Sequence, residues 1–272
     1  MIFSSERPFV LVGGGKMGGA MLAGWLANGI DPKSIVLNDP SLSATMSHLV
    51  AQHGVRHVTA MSDDIKPGMI LMAIKPQMMD AVLPSLAPFV LPDTLIASVA
   101  AGTPLSKFED AFGAVPMARA MPNTPSMVGR GITAVYPSKA VTQEHKQTLE
   151  KLLSAVGKVV WVDTEDQIDL VTAVSGSGPA YVFWMAECLA KAGVDLGLPE
   201  PAARQLAEET VSGAGELMRQ SSDDPSILRQ NVTSPNGTTA AALDVLMAQD
   251  GLQPLMKKAV AAAAQRAKEL AK

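Results

Sequence analysis

Between residues 9 and 162 short apolar runs alternate with helical patterns, and beyond Asp163 such runs stop. The runs occupy residues 9–12, 34–38, 55–58, 69–74, 94–99, 117–121, 132–136 and 158–162, and they lack a strict apolar–polar alternation. Strands covered by helices on both faces read this way, because neither face meets water. Helical patterns at residues 18–28, 42–53, 77–89, 105–112 and 142–156 supply the covering layers. The first part is therefore expected to be α/β, a doubly wound domain. The remainder of the chain is Ala-, Leu- and Met-rich at helical period over residues 168–174, 179–196, 199–220, 238–249 and 254–271. Pro179, Pro199 and Pro254 fall at or near first-turn positions, and Gly176, Gly197, Gly237 and Gly251 punctuate the gaps, so the second part is expected to be all helix. The 272 residues suit two domains of roughly 150 residues or fewer, and we expect them at 1–164 and 165–272.

Composition narrows the class. Hydrophobic residues make up 47% and charged residues 18%, which disfavours disorder. The net charge is -4 and the longest basic run is Lys257-Lys258, so neither nucleic acid nor an anionic membrane surface is an expected partner. The single cysteine, Cys188, lies in an apolar helical stretch and reads as an ordinary buried thiol, with no metal site implied. Met1 to Arg7 has no basic signal-like region, and runs such as residues 259–264 are far too short to span a bilayer, so a cytoplasmic location is expected. Residues 179–196 carry Tyr181, Val182, Phe183, Trp184, Met185, Cys188 and Leu189 around most of a helix. Such a helix is covered on all sides. A second copy of the chain is the expected cover, and a monomeric bundle folded back on the first domain is the alternative.

The segment Gly13-Gly14-Gly15-Lys16-Met17-Gly18 holds a G-x-G-x-x-G spacing directly after an apolar strand and directly before a helix. In that context the first glycine permits the tight turn, the second admits a pyrophosphate, and the third lets helix and strand pack closely. The helix N-terminus supplies free N–H groups to the anion. The second strand ends at Asn38-Asp39-Pro40, where an acidic residue would bond a ribose 2′-hydroxyl and a polar or basic set would admit a 2′-phosphate. Asn38 could donate to a phosphate and Asp39 would repel one; Asp39 could equally be a turn residue. The fourth strand runs into Ala73-Ile74-Lys75-Pro76 and the fifth into Val99-Ala100-Ala101, junctions that border the ligand crevice of a doubly wound sheet. Lys75 could neutralise phosphate charge. Asn123, in the proline-stiffened Met121-Pro122-Asn123-Thr124-Pro125, could face the nicotinamide end. Two further glycine-bearing loops open onto helices, at residues 175–179 and 234–239, and both read as anion sites of carboxylate size.

With these motifs in view, the chain resembles the pyrroline-5-carboxylate reductases over nearly its whole length. The resemblance rests on Gly13–Gly18, Ala73-Ile74-Lys75-Pro76, residues 120–125, residues 174–183 and residues 228–239. It implies a Rossmann domain, a helical dimerisation domain, often higher oligomers, and NADP(H)- or NAD(H)-dependent reduction of a cyclic imino acid to proline. By position it implies that Gly13, Gly15, Lys16, Met17, Gly18, Asn38, Ala73, Ile74, Lys75, Pro76, Val99, Ala100, Ala101 and Asn231 border the cofactor, alongside Asp39 and Asn123 from the reading of the residues above. Glu165, Ser234, Gly237, Thr238 and Thr239 fall on the substrate side. The chain departs from the family in having Asn236 where glycine is usual, and in having Asn38-Asp39 where NADPH users often carry small hydroxyl residues.

Imine reduction needs hydride delivery to carbon, a seat for the substrate carboxylate and a proton on nitrogen. A protonated imine needs no strong enzymatic acid, so positioning and electrostatics suffice. Thr239 is the expected catalytic partner of the ring nitrogen. A 3-hydroxyacid dehydrogenase would instead need a Lys or His acid/base in the cleft. The helix after Gly178 has no lysine before Lys191, and His48, His53, His57 and His145 all fall in the first domain. A non-catalytic dinucleotide-binding regulatory protein is the reading from another class.

Overall fold

The computed structural model describes residues 1–270. Eight strands, β1 (Phe9–Val12), β2 (Ile35–Asn38), β3 (Arg56–Val58), β4 (Met69–Met72), β5 (Leu95–Ser98), β6 (Met117–Met121), β7 (Gly131–Pro137) and β8 (Gly157–Trp161), form one sheet in the order β3-β2-β1-β4-β5-β6-β7-β8. Every pairing is parallel except β6 with β7, whose connection at residues 122–130 is shorter than the dozen or so residues a parallel crossover needs. Chain order reverses between β1 and β4, the switch point at which such sheets open a ligand crevice.

The alternation of side chains along each strand accounts for the layering. Phe9 and Leu11 of β1 point to one face, where they meet Leu22 and Trp25 of α1 (Lys16–Ala27) and Leu149, Leu152 and Leu153 of α5 (Gln143–Ser154). Val10 and Val12 point to the other and join Met79, Leu83 and Leu86 of α3 (Met79–Leu86) and Leu105 and Phe108 of α4 (Leu105–Phe112). The Trp25 indole N–H donates to the Leu152 carbonyl at 2.7 Å, so the bulkiest core side chain is also polar-satisfied. Helix α2 (Ala44–His53), capped by Ser43 and closed by left-handed Gly54, covers the β2 side.

The chain divides into two compact units, Met1–Gly176 with the residues from Ala264 onward, and Ser177–Ala263. Helix α6 (Asp166–Val171) and a π turn (Thr172–Gly176) thus belong with the sheet. The second unit holds α7 (Gly178–Asp195), α8 (Glu200–Gln220), α9 (Pro225–Asn231), α10 (Thr238–Leu246) and most of α11 (Leu252–Leu270). Helix α9 has no counterpart among the helical patterns expected from the sequence. Cys188 departs from the expected burial: it is exposed, on an α7 whose Phe183 and Trp184 are 63% and 64% exposed. No helix among the described residues is long and apolar enough to cross a membrane.

Candidate active site

At the β1–α1 junction the glycines are fixed by contact. Gly13 adopts φ +100°, and a Cβ there would come within 2.8 Å of the Ala73 carbonyl and the Ile74 side chain. A Cβ on Gly18 would collide with the Gly13 carbonyl, so only glycine lets α1 start this close to the turn. Gly15 is the N-cap of α1, makes no side-chain cap, and has open space where a Cβ would be. The first-turn amides at Lys16 and Met17 are therefore left to an outside acceptor, with the positive end of the helix dipole behind them. The donor set fits the pyrophosphate of a dinucleotide.

At the end of β2, Asp39 is held by hydrogen bonds on both sides of its carboxylate. Its carboxylate turns to the glycine loop, where Oδ2 accepts from Gly14 N at 2.6 Å and Oδ1 from Ser41 N at 2.8 Å. Its carbonyl meets His57 Nε2 at 2.8 Å. Asn38 behaves otherwise than expected for a phosphate donor: it is buried, and its Nδ2 donates to the Val58 carbonyl at 3.3 Å. It secures β3 at the sheet edge.

The exits of β4 and β5 lie beside this loop. Ala73 N bonds to Val12 O and Val99 N to Met72 O, which continues the ladder past the strand ends and aligns Ala73–Pro76 with Val99–Ala101 along one edge. Lys75 is exposed at the start of a short 3-10 turn, and Ala100 N bonds to the Ser98 hydroxyl. After β6, Asn123 uses Oδ1 to accept from Ile132 N at 3.0 Å. That bond closes the loop onto β7, so the side-chain carbonyl serves the loop itself.

Glu165 stands at the N-cap of α6. Its Oε1 accepts from Leu105 N at 2.8 Å and from Arg119 Nη1 at 2.9 Å. Arg119 Nη2 lies 3.4 Å from Asp169 Oδ1. The Arg119 side chain is 5% exposed. Sequence reasoning passes over Arg119, although a lone arginine inside the apolar run Met117–Met121 is itself a signal, since a buried charge requires a partner.

In the second unit the segment before α10 makes a tight turn. Asn236 sits at φ 58°, a left-handed conformation that asparagine tolerates better than other non-glycine residues, which explains how it replaces the family's usual glycine. Gly237 N bonds to Ser234 O at 3.0 Å, and Gly237 caps α10 without a side-chain bond. Thr238 and Thr239 occupy the first two helical positions, so their amides and hydroxyls stand together at an uncapped helix start. Asn231 is exposed at the end of α9. In the loop at residues 175–179, Ser175 and Gly176 belong to the π turn, the Ser175 hydroxyl donates to Val171 O, Ala180 N bonds to Ser177 O, and Ser177 caps α7 without a side-chain bond.

Both parts of the chain are similar to known proteins. The family profile described as pyrroline-5-carboxylate reductase dimerisation matches residues 165–270, and one described as NADP oxidoreductase, coenzyme F420-dependent, matches residues 8–102. A pyrroline-5-carboxylate reductase of Pseudomonas aeruginosa is 37% identical over 98% of both chains. The chain belongs to the pyrroline-5-carboxylate reductase family. A solved reductase of this family from Coxiella burnetii is 36% identical and superposes with a TM-score of 0.91, covering 98% of this chain and 99% of that one. Another, from Plasmodium falciparum with NADP bound, is 27% identical with a TM-score of 0.81 over 98% of this chain and 99% of that one. The α/β domain followed by helices, expected from the patterning, is thus the family's architecture.

Proposed function

We propose that the chain reduces 1-pyrroline-5-carboxylate to L-proline with NADP(H), and NAD(H) as a second coenzyme. The observation that carries this reading is the similarity over 98% of the chain to reductases of that name, joined to two uncapped helix starts, one at Gly15 and one at Gly237. The relative with NADP bound supports the coenzyme. The reduced nicotinamide supplies the hydride when bound.

The chain's own groups do the rest. The amides of Gly15, Lys16, Met17 and Gly18 hold the pyrophosphate, Asp39 borders the ribose, and Ala73–Pro76 with Val99–Ala101 wall the crevice. Asn123 and Asn231 complete the cofactor side. The Ser234 hydroxyl with the amides of Gly237 and Thr238 holds the substrate carboxylate against the dipole of α10. Thr239 Oγ1 accepts a hydrogen bond from the protonated ring nitrogen and holds the C=N carbon in line for hydride. No side chain need transfer a proton at the reacting carbon, which agrees with the histidines' positions: His57 meets the Asp39 carbonyl and His145 caps α5.

Dimerisation through residues 165–272, a small cyclic imino acid as ligand and a cytoplasmic location complete the proposal. The test is oxidation of NADPH and of NADH in the presence of pyrroline-5-carboxylate, with proline measured as product. Consumption of coenzyme matched by proline supports the reading; no proline with either coenzyme overturns it.

A further inference from the structure

Arg119 lies in the middle of β6, and its side chain leaves the strand on the same face as Met117 and Met121, two residues to either side. On that face the guanidinium reaches two carboxylates of one short helical segment, Glu165 at 2.9 Å and Asp169 at 3.4 Å. The two acids are one helical turn apart and so grip the cation from neighbouring positions. Glu165 does a second job with the same oxygen. It accepts from Leu105 N, the first amide of α4, whose own N-cap Pro104 offers no side-chain oxygen. One buried cation thus ties α4, β6 and α6 together through groups far apart in the chain.

Each tied element continues into a segment of the proposed cofactor edge. The residues before α4 are the Val99–Ala101 exit of β5, β6 runs directly into Met121-Pro122-Asn123, and α6 runs into the π turn that ends at Gly176. That turn is seated on β6: a Cβ on Gly176 would come within 2.7 Å of the Met121 Cε atom, so the turn packs directly against that side chain. The interlock therefore lies at the base of the loops proposed to border the nicotinamide end.

We infer that Arg119, with Glu165 and Asp169, is a positioning set that fixes the Val99–Ala101 and Met121–Asn123 loops for hydride transfer, and that Glu165 acts through Arg119 and Leu105 rather than on the substrate. The inference rests on the reductase reading and deepens it. Misplacement of reacting groups by about 1 Å can cost on the order of 100-fold in rate, so loosened loops should act on kcat far more than on binding.

The test is steady-state kinetics of Glu165→Ala, Glu165→Gln, Arg119→Met and the Glu165→Ala/Arg119→Met double variant, against the wild-type chain in parallel. Glu165→Ala and Arg119→Met should each lower kcat by roughly 10- to 100-fold with KM for imine and coenzyme within about threefold. Glu165→Gln keeps an oxygen that accepts from Leu105 N and Arg119, and should recover most of what alanine loses with the shape of the pH profile kept. The double variant should be no worse than Arg119→Met alone, because residues acting through one contact are not additive. A charge-dependent substrate contact gives the opposite pattern: Glu165→Gln as impaired as Glu165→Ala, a raised KM for the imine, and additive losses. Any of these overturns the inference while leaving the reductase reading intact, and Glu165→Gln, which keeps the acceptor oxygen, still reads the position even if Arg119→Met does not fold. A wild-type chain without turnover overturns both.

Discussion

At the residue scale the coenzyme end turns on Asp39. Its carboxylate is locked toward the glycine loop by Gly14 N and Ser41 N, and no arginine follows in α2 to offset a 2′-phosphate. Asp39→Ser should shift the kcat/KM ratio of NADPH to NADH upward by roughly tenfold, about 1.4 kcal/mol, measured by initial rates with each coenzyme. An unchanged ratio would place the ribose elsewhere. At the other end, Thr239→Ala should cost about 1–3 kcal/mol in kcat/KM while leaving residual activity, since it removes one hydrogen bond and no obligatory proton donor. A loss of several thousandfold would make Thr239 an acid/base and contradict the mechanism. These residues are unevenly legible in the sequence. Gly13 and Gly18 can be read because a backbone contact admits nothing larger. The choice between Asn38 and Asp39 cannot, since it depends on which side chain the β3 carbonyl at Val58 captures. Arg119 escapes notice because its partners lie far along the chain, where spacing carries no information.

Among the elements, the strands are legible because burial on both faces leaves continuous apolar runs. Helix α9 escapes because seven residues, Pro225–Asn231, are too few for a period; its signals are the Asp224 cap and Pro225 in the first turn. The π turn escapes because an extra residue in a turn leaves no mark on an apolar run, although Thr172 and Ser175, whose hydroxyls bond back to Ile168 O and Val171 O, belong to the residues that ease such a turn. Helix α5 begins with a capping box in which Thr142 caps His145 N and His145 Nδ1 accepts from Thr142 N, which requires an unprotonated nitrogen. Desolvation holds the His145 pKa below the ordinary histidine range, against the opposing pull of Glu144 and Asp93. A base whose folded pKa is depressed binds its proton more readily when unfolded, so its contribution is fully present above pH of about 6.5 and is lost as pH falls below that toward the folded value. Denaturant midpoints of the wild type should therefore drop between about pH 6.5 and 5 by more than those of His145→Gln, which keeps an acceptor at the same capping position. Equal drops would assign the acid sensitivity to other groups.

For the whole molecule, the second unit leaves most of its apolar side chains exposed in a lone copy. Of its described residues in α7 to α10, only Ala203 and Ala207 are buried, whereas Val182, Phe183, Trp184, Met185 and Leu189 form an exposed apolar band on α7. Self-association through this unit is the expected remedy, and sedimentation at sub-micromolar concentration should show a dimer or larger, weakened by Trp184→Asp. A folded, fully active monomer would contradict it. The central claim is that this chain carries hydride from a dinucleotide held at the Gly13–Gly18 loop to the C=N carbon of a cyclic imino acid held at the Ser234–Thr239 turn. The direct measurement is mass spectrometry of the product formed from pyrroline-5-carboxylate and NADPH deuterated at the transferable C4 position. The account predicts proline bearing one deuterium on C5 for each coenzyme oxidised, and coenzyme oxidation with unlabelled product, or none at all, would contradict it.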